Sequence, residues 1–514
     1  MKNVAKIGLM LFTGFCIQNP VKSQTYSQRF YLGYYALSPM GGLLKGNNFY
    51  TIGYAEDTTC QAYYEPVLAR FNIDGSLQQV NDYCIPDTGQ QTYTGTNTIL
   101  LLSNGNIVFH VLFGGGGKSL IYFCDSNANV LQYKSMVDTA VVALSVQDII
   151  EHQSCLYVLC VEQYQVPANE IGISIIKLDL NGNFIWRKSF NEVNVTEFPS
   201  IIRGLSDGRI MIGACKSNFY QGGALGNELR HTYIFTIDTA GTQLEFWVDP
   251  NPNTFQPTEF IYTADNHLIY TGGYKKGQWL GDIYTTGYIC KMNWLTKVKN
   301  WEIFKGDSSI VTSYNDIDLF GNTLVASGSF ALIDSMTGYG GITKIDLNGN
   351  ILWHRLYRGL YLSIGNDNYF YESAVLADGS IMACGQSNDI GGFSGHPVRY
   401  QGWIARVDSN GLGITNLSLS LPDEPSINNE VFEILLTPNP STNTIYLTLK
   451  DNLFSKENKI EITNISGQVV LKQYVPLIDK NPQAIDISGF VNGTYIISIR
   501  NDKGFVKRKV FIKN

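Results

Sequence analysis

Short apolar runs recur along most of the chain, and what separates them is turn chemistry. One phrase is a polar turn followed by an apolar run. Its copies are Lys45-Gly-Asn-Asn-Phe-Tyr-Thr-Ile-Gly53, Asn104-Gly-Asn-Ile-Val-Phe-His110, Gln153-Ser-Cys-Leu-Tyr-Val-Leu159 and Asp207-Gly-Arg-Ile-Met-Ile-Gly213. Three more follow: Asp265-Asn-His-Leu-Ile-Tyr-Thr-Gly272, Gly321-Asn-Thr-Leu-Val-Ala-Ser-Gly328 and Asp378-Gly-Ser-Ile-Met-Ala-Cys-Gly385. A second phrase alternates with it, clearest in Lys177-Leu-Asp-Leu-Asn-Gly-Asn-Phe-Ile-Trp186 and Lys344-Ile-Asp-Leu-Asn-Gly-Asn-Ile-Leu-Trp353, and looser near 71–77, 124–130, 237–243, 292–298 and 407–412. Asn and Gly accept the positive φ of a tight strand-reversing turn, so both phrases predict β-hairpins. The apolar runs lack strict polar alternation, as strands covered on both faces should.

Turn residues of the first phrase fall near 46, 105, 154, 208, 266, 322 and 379, a period of roughly 49 to 59 residues. Two hairpins per period make four strands, and seven periods predict a seven-bladed β-propeller over residues 35–415. One four-stranded sheet cannot cover both its faces, but sheets packed radially cover each other. A β-solenoid is the runner-up, although its repeats are usually shorter and need caps. The order Gly321-Asn-Thr-Leu-Val-Ala-Ser-Gly-Ser-Phe330, an insertion, then Gly341-Ile-Thr-Lys-Ile-Asp-Leu-Asn-Gly-Asn-Ile-Leu-Trp353 resembles the bacterial seven-bladed propeller repeat family. The Asp…Gly-Asn…Trp phrase also looks like repeats of quinone-cofactor propellers. No metal-binding and cofactor-stacking constellation accompanies it, so no cofactor is expected.

The two ends of the chain read differently. Lys2 and Lys6 precede an apolar run, Ile7 to Ile17, too short to span a bilayer comfortably, and Val21 and Ser23 suit cleavage before Gln24. Residues 1–23 are expected to be a signal peptide. Phe15 stands where a lipoprotein signal needs a small residue before Cys16. No later run is long enough to cross a membrane, so none is expected in the mature chain. After a polar linker over 416–430, residues 431–514 show short alternating strands that predict a small β-sandwich.

This last unit closely resembles the type A sorting domain of the type IX secretion system. Leu436-Thr-Pro438-Asn439-Pro440-Ser441 is followed by Gly467 after a strand, Gly493-Thr-Tyr495 and a basic ending with Lys507, Arg508 and Lys509, in the order of that family. The resemblance implies export across the outer membrane, the type IX machinery as partner, and a secreted or cell-surface destination. An ordinary Ig-like adhesive module is the other reading.

Composition adds a little. Of 514 residues 44% are hydrophobic and only 16% charged, with 50 Gly, which suits tightly turned β-structure and excludes a coiled coil. The net charge of -7 gives no support to a nucleic-acid partner. It is uneven: residues 456–514 carry 10 Lys/Arg against 5 Asp/Glu, about +5, which leaves about -12 for the rest. The positive charges are dispersed through strand-like sequence rather than gathered as a membrane-binding patch would be.

Candidate chemistry is sparse. Once Cys16 is removed eight cysteines remain, with no zinc spacing; Cys215 and Cys384 sit in apolar strands as buried thiols, and Cys60 with Cys84 is the best disulfide candidate. The six histidines form no metal-ligand spacing, and no Gly-x-Ser-x-Gly elbow supplies a nucleophile. Gly114 to Ser119 lacks the spacing of a phosphate loop. In the turns at Asp179 and Asp346 the Gly comes fourth and no closing Glu follows, unlike a calcium-binding EF-hand loop.

Tyr63, Tyr64, Tyr220, Trp279, Tyr284 and Tyr369 lie in insertions between the repeated strands, where they either pack loops down or offer stacking surfaces for a sugar. The expected function is a secreted or cell-surface scaffold for a glycan or protein ligand, with no catalytic or metal-binding residues assigned. The alternative is a hydrolase or lyase acting on extracellular polysaccharide or peptide, with Asp57, Asp282, Asp316 or Asp389 at the mouth of the propeller.

Overall fold

The computed structural model describes residues 25–30, 36–56, 65–83, 92–93, 99–113, 119–136, 143–163, 171–192, 195–218, 230–279, 282–305, 310–332, 337–358, 367–389, 399–412, 434–438, 440–449, 458–464, 469–475, 483–501 and 506–514. Up to residue 412 these form seven antiparallel sheets, each one copy of the repeat. The third is representative: Ala143–His152, Cys155–Gln163, Ile171–Asp179 and Phe184–Phe190 pair in sequence order. The first strand of the second sheet comes in two short pieces, Thr92–Tyr93 and Ile99–Leu101.

The seventh sheet breaks the rule. Its first three strands are Asp367–Val375, Ile381–Asp389 and Arg399–Val407, and its fourth is Tyr26–Phe30 from the other end of the chain. That strand lies outside the predicted span of 35–415. Trp403 Nε1 donates to Ser27 Oγ at 2.9 Å across the join.

Successive sheets share apolar cores. Ile210, Ile212 and Ala214 of the fourth sheet face the third, while Met211 between them faces the fifth. A strand buried on alternate sides by two neighbours has no polar face to show, which explains the unbroken apolar runs. The same packing joins the seventh sheet to the first, where Met382, Cys384 and Ile404 meet Leu37, Phe49 and Phe71. The first strands of the sheets lie beside one another from each sheet to the next, including seventh against first.

The second phrase of the repeat works as a stitch. In six of these turns an Asp caps its own loop, and in the fifth sheet Asn293 does so. Asp179 Oδ1 accepts from the N–H groups of Asn181 at 2.9 Å and Asn183 at 2.7 Å. Gly182 takes φ +75°, and a Cβ there would lie 2.7 Å from Phe123 of the preceding sheet. From the third strand of one sheet a cation reaches a carbonyl in the turn of the next. Lys177 Nζ donates to Thr239 O at 3.0 Å, Lys291 to Leu347 O at 3.2 Å and Lys344 to Ser409 O at 3.1 Å. Arg406 Nη1 donates likewise to Ile73 O at 3.0 Å, from the seventh sheet to the first.

Residues 434–514 build two further sheets, one of three strands and one of four. Leu436, Ile445, Leu447 and Ile485 of one pack on Ile460, Ile462, Ile497 and Phe511 of the other. The alternation at 445–449 and 495–499 that predicted a sandwich supplies this core. Thr494 Oγ1 donates to Leu77 O of the first sheet at 3.0 Å.

Candidate functional site

Two regions could carry function: the inner rim, where the first strands meet, and the end from which the long connections leave.

Most first strands carry a β-bulge, with register breaks between Pro39 and Gly41, Val146 and Asp148, Pro199 and Ile201, Pro257 and Glu259, Tyr314 and Asp316, and Phe370 and Glu372. A bulge bends its strand and re-aims the side chain that follows. Glycine on the second strand makes room for it: a Cβ on Gly385 would stand 1.8 Å from Tyr369 O. In four sheets the residue after the break is acidic: Asp148, Glu259, Asp316 and Glu372. The fourth sheet has Ile201 there, and Arg203 two residues on.

Arg203 ties the group together. Its Nη1 donates to Asp148 Oδ2 at 2.6 Å and its Nε to Glu259 Oε1 at 2.7 Å, while its Nη2 pairs with Glu259 Oε2. Burial alone would depress its pKa, but the Glu259 and Asp148 carboxylates more than reverse this. Asp148 is 1% exposed, and burial pushes it up to about 6 against the pull of Arg203. Asp318 is also pushed up to about 6, by burial first. Burial and the neighbouring acids hold Asp316 and Glu372 well above the usual carboxylate range.

These acids already have structural work. Edge strands expose backbone donors that need acceptors. Asp148 Oδ2 accepts from Ile202 N at 3.0 Å, Asp316 Oδ2 from Ser373 N at 2.9 Å, and Asp318 Oδ2 from Val375 N at 3.1 Å. In each case a carboxylate on one sheet caps the first strand of the next. Ser200, Thr258 and Asn315, the extra residues of three bulges, donate in the same direction to Pro257 O, Tyr314 O and Phe370 O. Glu372 departs from this pattern. It faces the first sheet, which has Gly41 and Gly42 at this level, and its Oε2 is sealed from solvent with no hydrogen-bond partner. Among the described residues no group of three His, Cys, Asp or Glu could hold a metal ion.

The other region follows from topology. Both hairpin turns of every full sheet lie at one end. The connections at 57–64, 114–118, 164–170, 219–229, 280–281, 333–336 and 390–398 therefore leave from the opposite end. In the fifth sheet the two middle strands run on to Trp279 and Asp282, which pair across a two-residue turn, so this hairpin is longer than its counterparts.

The sequence candidates sort accordingly. Tyr63, Tyr64, Tyr220, Asp57, Cys60 and Cys84 lie outside the described residues. Trp279, Asp282 and Tyr284 sit on the long hairpin, Tyr369 near the start of its first strand and Asp389 at the end of its second, all toward the loop end. Asp316 was expected at the mouth. It stands instead in the middle of a first strand, 3% exposed, because the bulge turns it into the rim. The sequence reading missed Arg203, Asp148, Glu259 and Glu372. Acids recurring at 148, 259, 316 and 372, close to the repeat period, were the available signal.

In the C-terminal unit Tyr495 is buried, stacks on Phe511 at 5.5 Å, and donates from its hydroxyl to Val491 O at 2.6 Å. Gly493 opens the same strand opposite Lys513, and Lys507, Arg508 and Lys509 lie on the last strand opposite Ile499, Ser498 and Ile497. Pro438 directly follows the first strand, Ile434–Thr437; just after Pro440, Ser441 bridges to the last strand through Ile512 O and the Asn514 N–H. Asn439 and Gly467 lie outside the described residues.

Comparison with known proteins agrees with this unit. Residues 436–513 match the secretion system C-terminal sorting domain. That domain marks the chain for export through the type IX secretion system, to the cell surface or the medium. No curated protein matches the chain. Among solved structures, the chain is similar to an ulvan lyase of polysaccharide lyase family PL25, at TM-score 0.47 and 11% identity over 72% of this chain and 94% of that one. It is similar to the polysaccharide lyase Uly1, at TM-score 0.44 and 11% identity over 72% and 90%. It is also similar to the β-propeller domain of the trilobed protease from Pyrococcus furiosus, at TM-score 0.39 and 8% identity over 75% and 99%. The fold is all-β and propeller-like.

Proposed function

We propose that the seven sheets form a closed seven-bladed propeller, delivered outside the cell by its sorting domain, which binds a glycan or protein ligand on the end where the long connections emerge. The observation that carries this reading is the contrast between the two ends. One holds short turns in which Asp179, Asp238, Asp346 and Asp408 cap their own loops, while the other gathers connections of unequal length and the long Trp279–Asp282 hairpin. Variable loops on a rigid frame are the usual place for recognition. Support for closure comes from the shared core and the Arg406 stitch between seventh and first sheets. Within the rim, the carboxylates that cap neighbouring backbone N–H groups have a structural use that needs no substrate.

The test is a binding screen of the mature chain against surface glycans and proteins. Saturable binding that Trp279→Ala and Tyr284→Ala weaken without lowering thermal stability supports the scaffold. Steady release of product from a retained polysaccharide or peptide would replace it with the degradative enzyme. For delivery, removal of residues 430–514 should leave the protein in the periplasm, and its undiminished appearance in the medium would refute the sorting role.

A further inference from the structure

Among the described residues several half-buried cations have acidic partners: Arg187 has Glu162, Arg203 has Asp148 and Glu259, Lys216 has Glu192 and Glu197, and Lys299 has Asp249 and Glu302. Arg230 has none. It opens the third strand of the fourth sheet, Arg230–Ile237, at the loop end and directly after the connection 219–229. Its guanidinium lies over two rings, 5.7 Å from the centroid of Phe198 and 5.6 Å from that of Phe255. Phe198 belongs to the first strand of the fourth sheet and Phe255 to that of the fifth, so the cation sits at the rim where these sheets meet. The backbone is fixed there as well: Arg230 N donates to Pro252 O at 3.2 Å, and Arg230 bridges to Asn253. Yet Arg230 Nε is sealed from solvent without an acceptor.

Ring faces hold a guanidinium by its plane, and with Nε sealed it is the Nη1–Nη2 edge that a ligand can reach. That edge is a fork of N–H donors matched to a carboxylate or sulfate group, which can accept two of them at once. A lysine in the same place would keep the charge and lose the fork.

We propose that Arg230 is an anion-recognition point of the loop face, taking a carboxylate or sulfate group of an acidic glycan. This rests on the reading of that face as a binding surface. A glycan is favoured over an acidic peptide by what stands beside Arg230: the rings of Phe198 and Phe255. Sugar rings stack on such groups while their charged substituents reach the fork. The chain's net charge of -7 opposes diffuse attraction of a polyanion, so binding has to come from a local contact of this kind.

The experiment is affinity electrophoresis of the mature full-length chain, Arg230→Gln and Arg230→Lys through gels containing polygalacturonate, dextran sulfate, neutral dextran or poly-glutamate, with thermal unfolding run in parallel. Retention by one or both anionic glycans is expected, at least tenfold weaker for Arg230→Gln and intermediate for Arg230→Lys, with unfolding unchanged. The arm that retains the chain identifies carboxylate or sulfate as the group. Equal retention of all three proteins would overturn the assignment, as would failure of every anionic probe to bind; neither result touches the broader loop-face reading, which the unbiased screen tests. Retention by poly-glutamate as strong as by the glycans would move the ligand to acidic protein and sink the glycan class. Should Arg230→Gln unfold, the Arg230→Lys comparison carries the test alone.

Discussion

Six of the seven seams between sheets join sequence neighbours, and the seventh joins the two ends of the array. At the ordinary seam between the sixth and seventh sheets, Lys344 reaches Ser409 O, and Gly411 at φ +70° packs on Trp353, Arg355 and Tyr357. At the seam between the seventh and first sheets, Arg406 reaches Ile73 O, and Gly75 at φ +87° packs on Tyr26. The chemistry is the same although Arg406 and Ile73 stand 333 residues apart. The difference lies in the source of the packing aromatic, which an ordinary seam takes from the same repeat and this seam takes from the N-terminal strand. A repeat array can thus complete its last member by borrowing one strand, provided that strand offers an aromatic at the stitch.

Substitutions can break this equivalence or sharpen it. The largest effect is expected for Trp403→Ala. Trp403 is fully buried, stacks on Phe370 at 4.2 Å and donates to Ser27, so its loss should cost about 3–5 kcal/mol in denaturant unfolding. Gly75→Val and Gly411→Val should each cost about 2–4 kcal/mol, from a positive φ combined with a ring 2.9 or 2.8 Å from the new Cβ. If Gly75→Val left stability unchanged while Gly411→Val did not, the seventh seam would not be equivalent to the sixth.

A fourth substitution probes the rim through pH. The folded-state pKa of Asp318 is raised to about 6, so the native protein holds a proton that the unfolded chain releases near pH 4. Its contribution favours folding in acid and is lost as pH rises from about 4 through 6. Asp318→Asn should therefore stabilise the protein by about 1–2 kcal/mol at pH 8, and the gain should vanish near pH 4. A gain independent of pH would place the proton elsewhere. The smallest effects belong to the stitches: Arg406→Met and Lys344→Met should each cost about 1 kcal/mol by thermal unfolding, and a large disparity would show the two seams to be unequal.

Much of the architecture was legible in the sequence because the repeat phrases carry their own physics. Gly182 needs positive φ, Asp179 caps its turn, and Lys177 and Trp186 face the next sheet, so each residue type is fixed by a local or neighbouring requirement. The fourth strand of the seventh sheet was not legible. Tyr26–Phe30 has no turn phrase beside it, and its partners stand at the far end of the described array. The rim acids escaped for another reason: a bulge shifts the register, so Asp316 reads in sequence as a loop-edge candidate and folds as a buried cap. Arg230 gave no signal, since its character comes from two rings on strands that only the fold brings to it.

The N-terminal strand is proposed to close the array. The direct measurement is thermal unfolding of a chain lacking residues 25–30, alone and with a synthetic Thr25–Phe30 peptide added. A marked fall in the unfolding temperature is expected, recovered in part as the peptide concentration rises. An unfolding temperature equal to that of the intact chain, indifferent to the peptide, would contradict the closure.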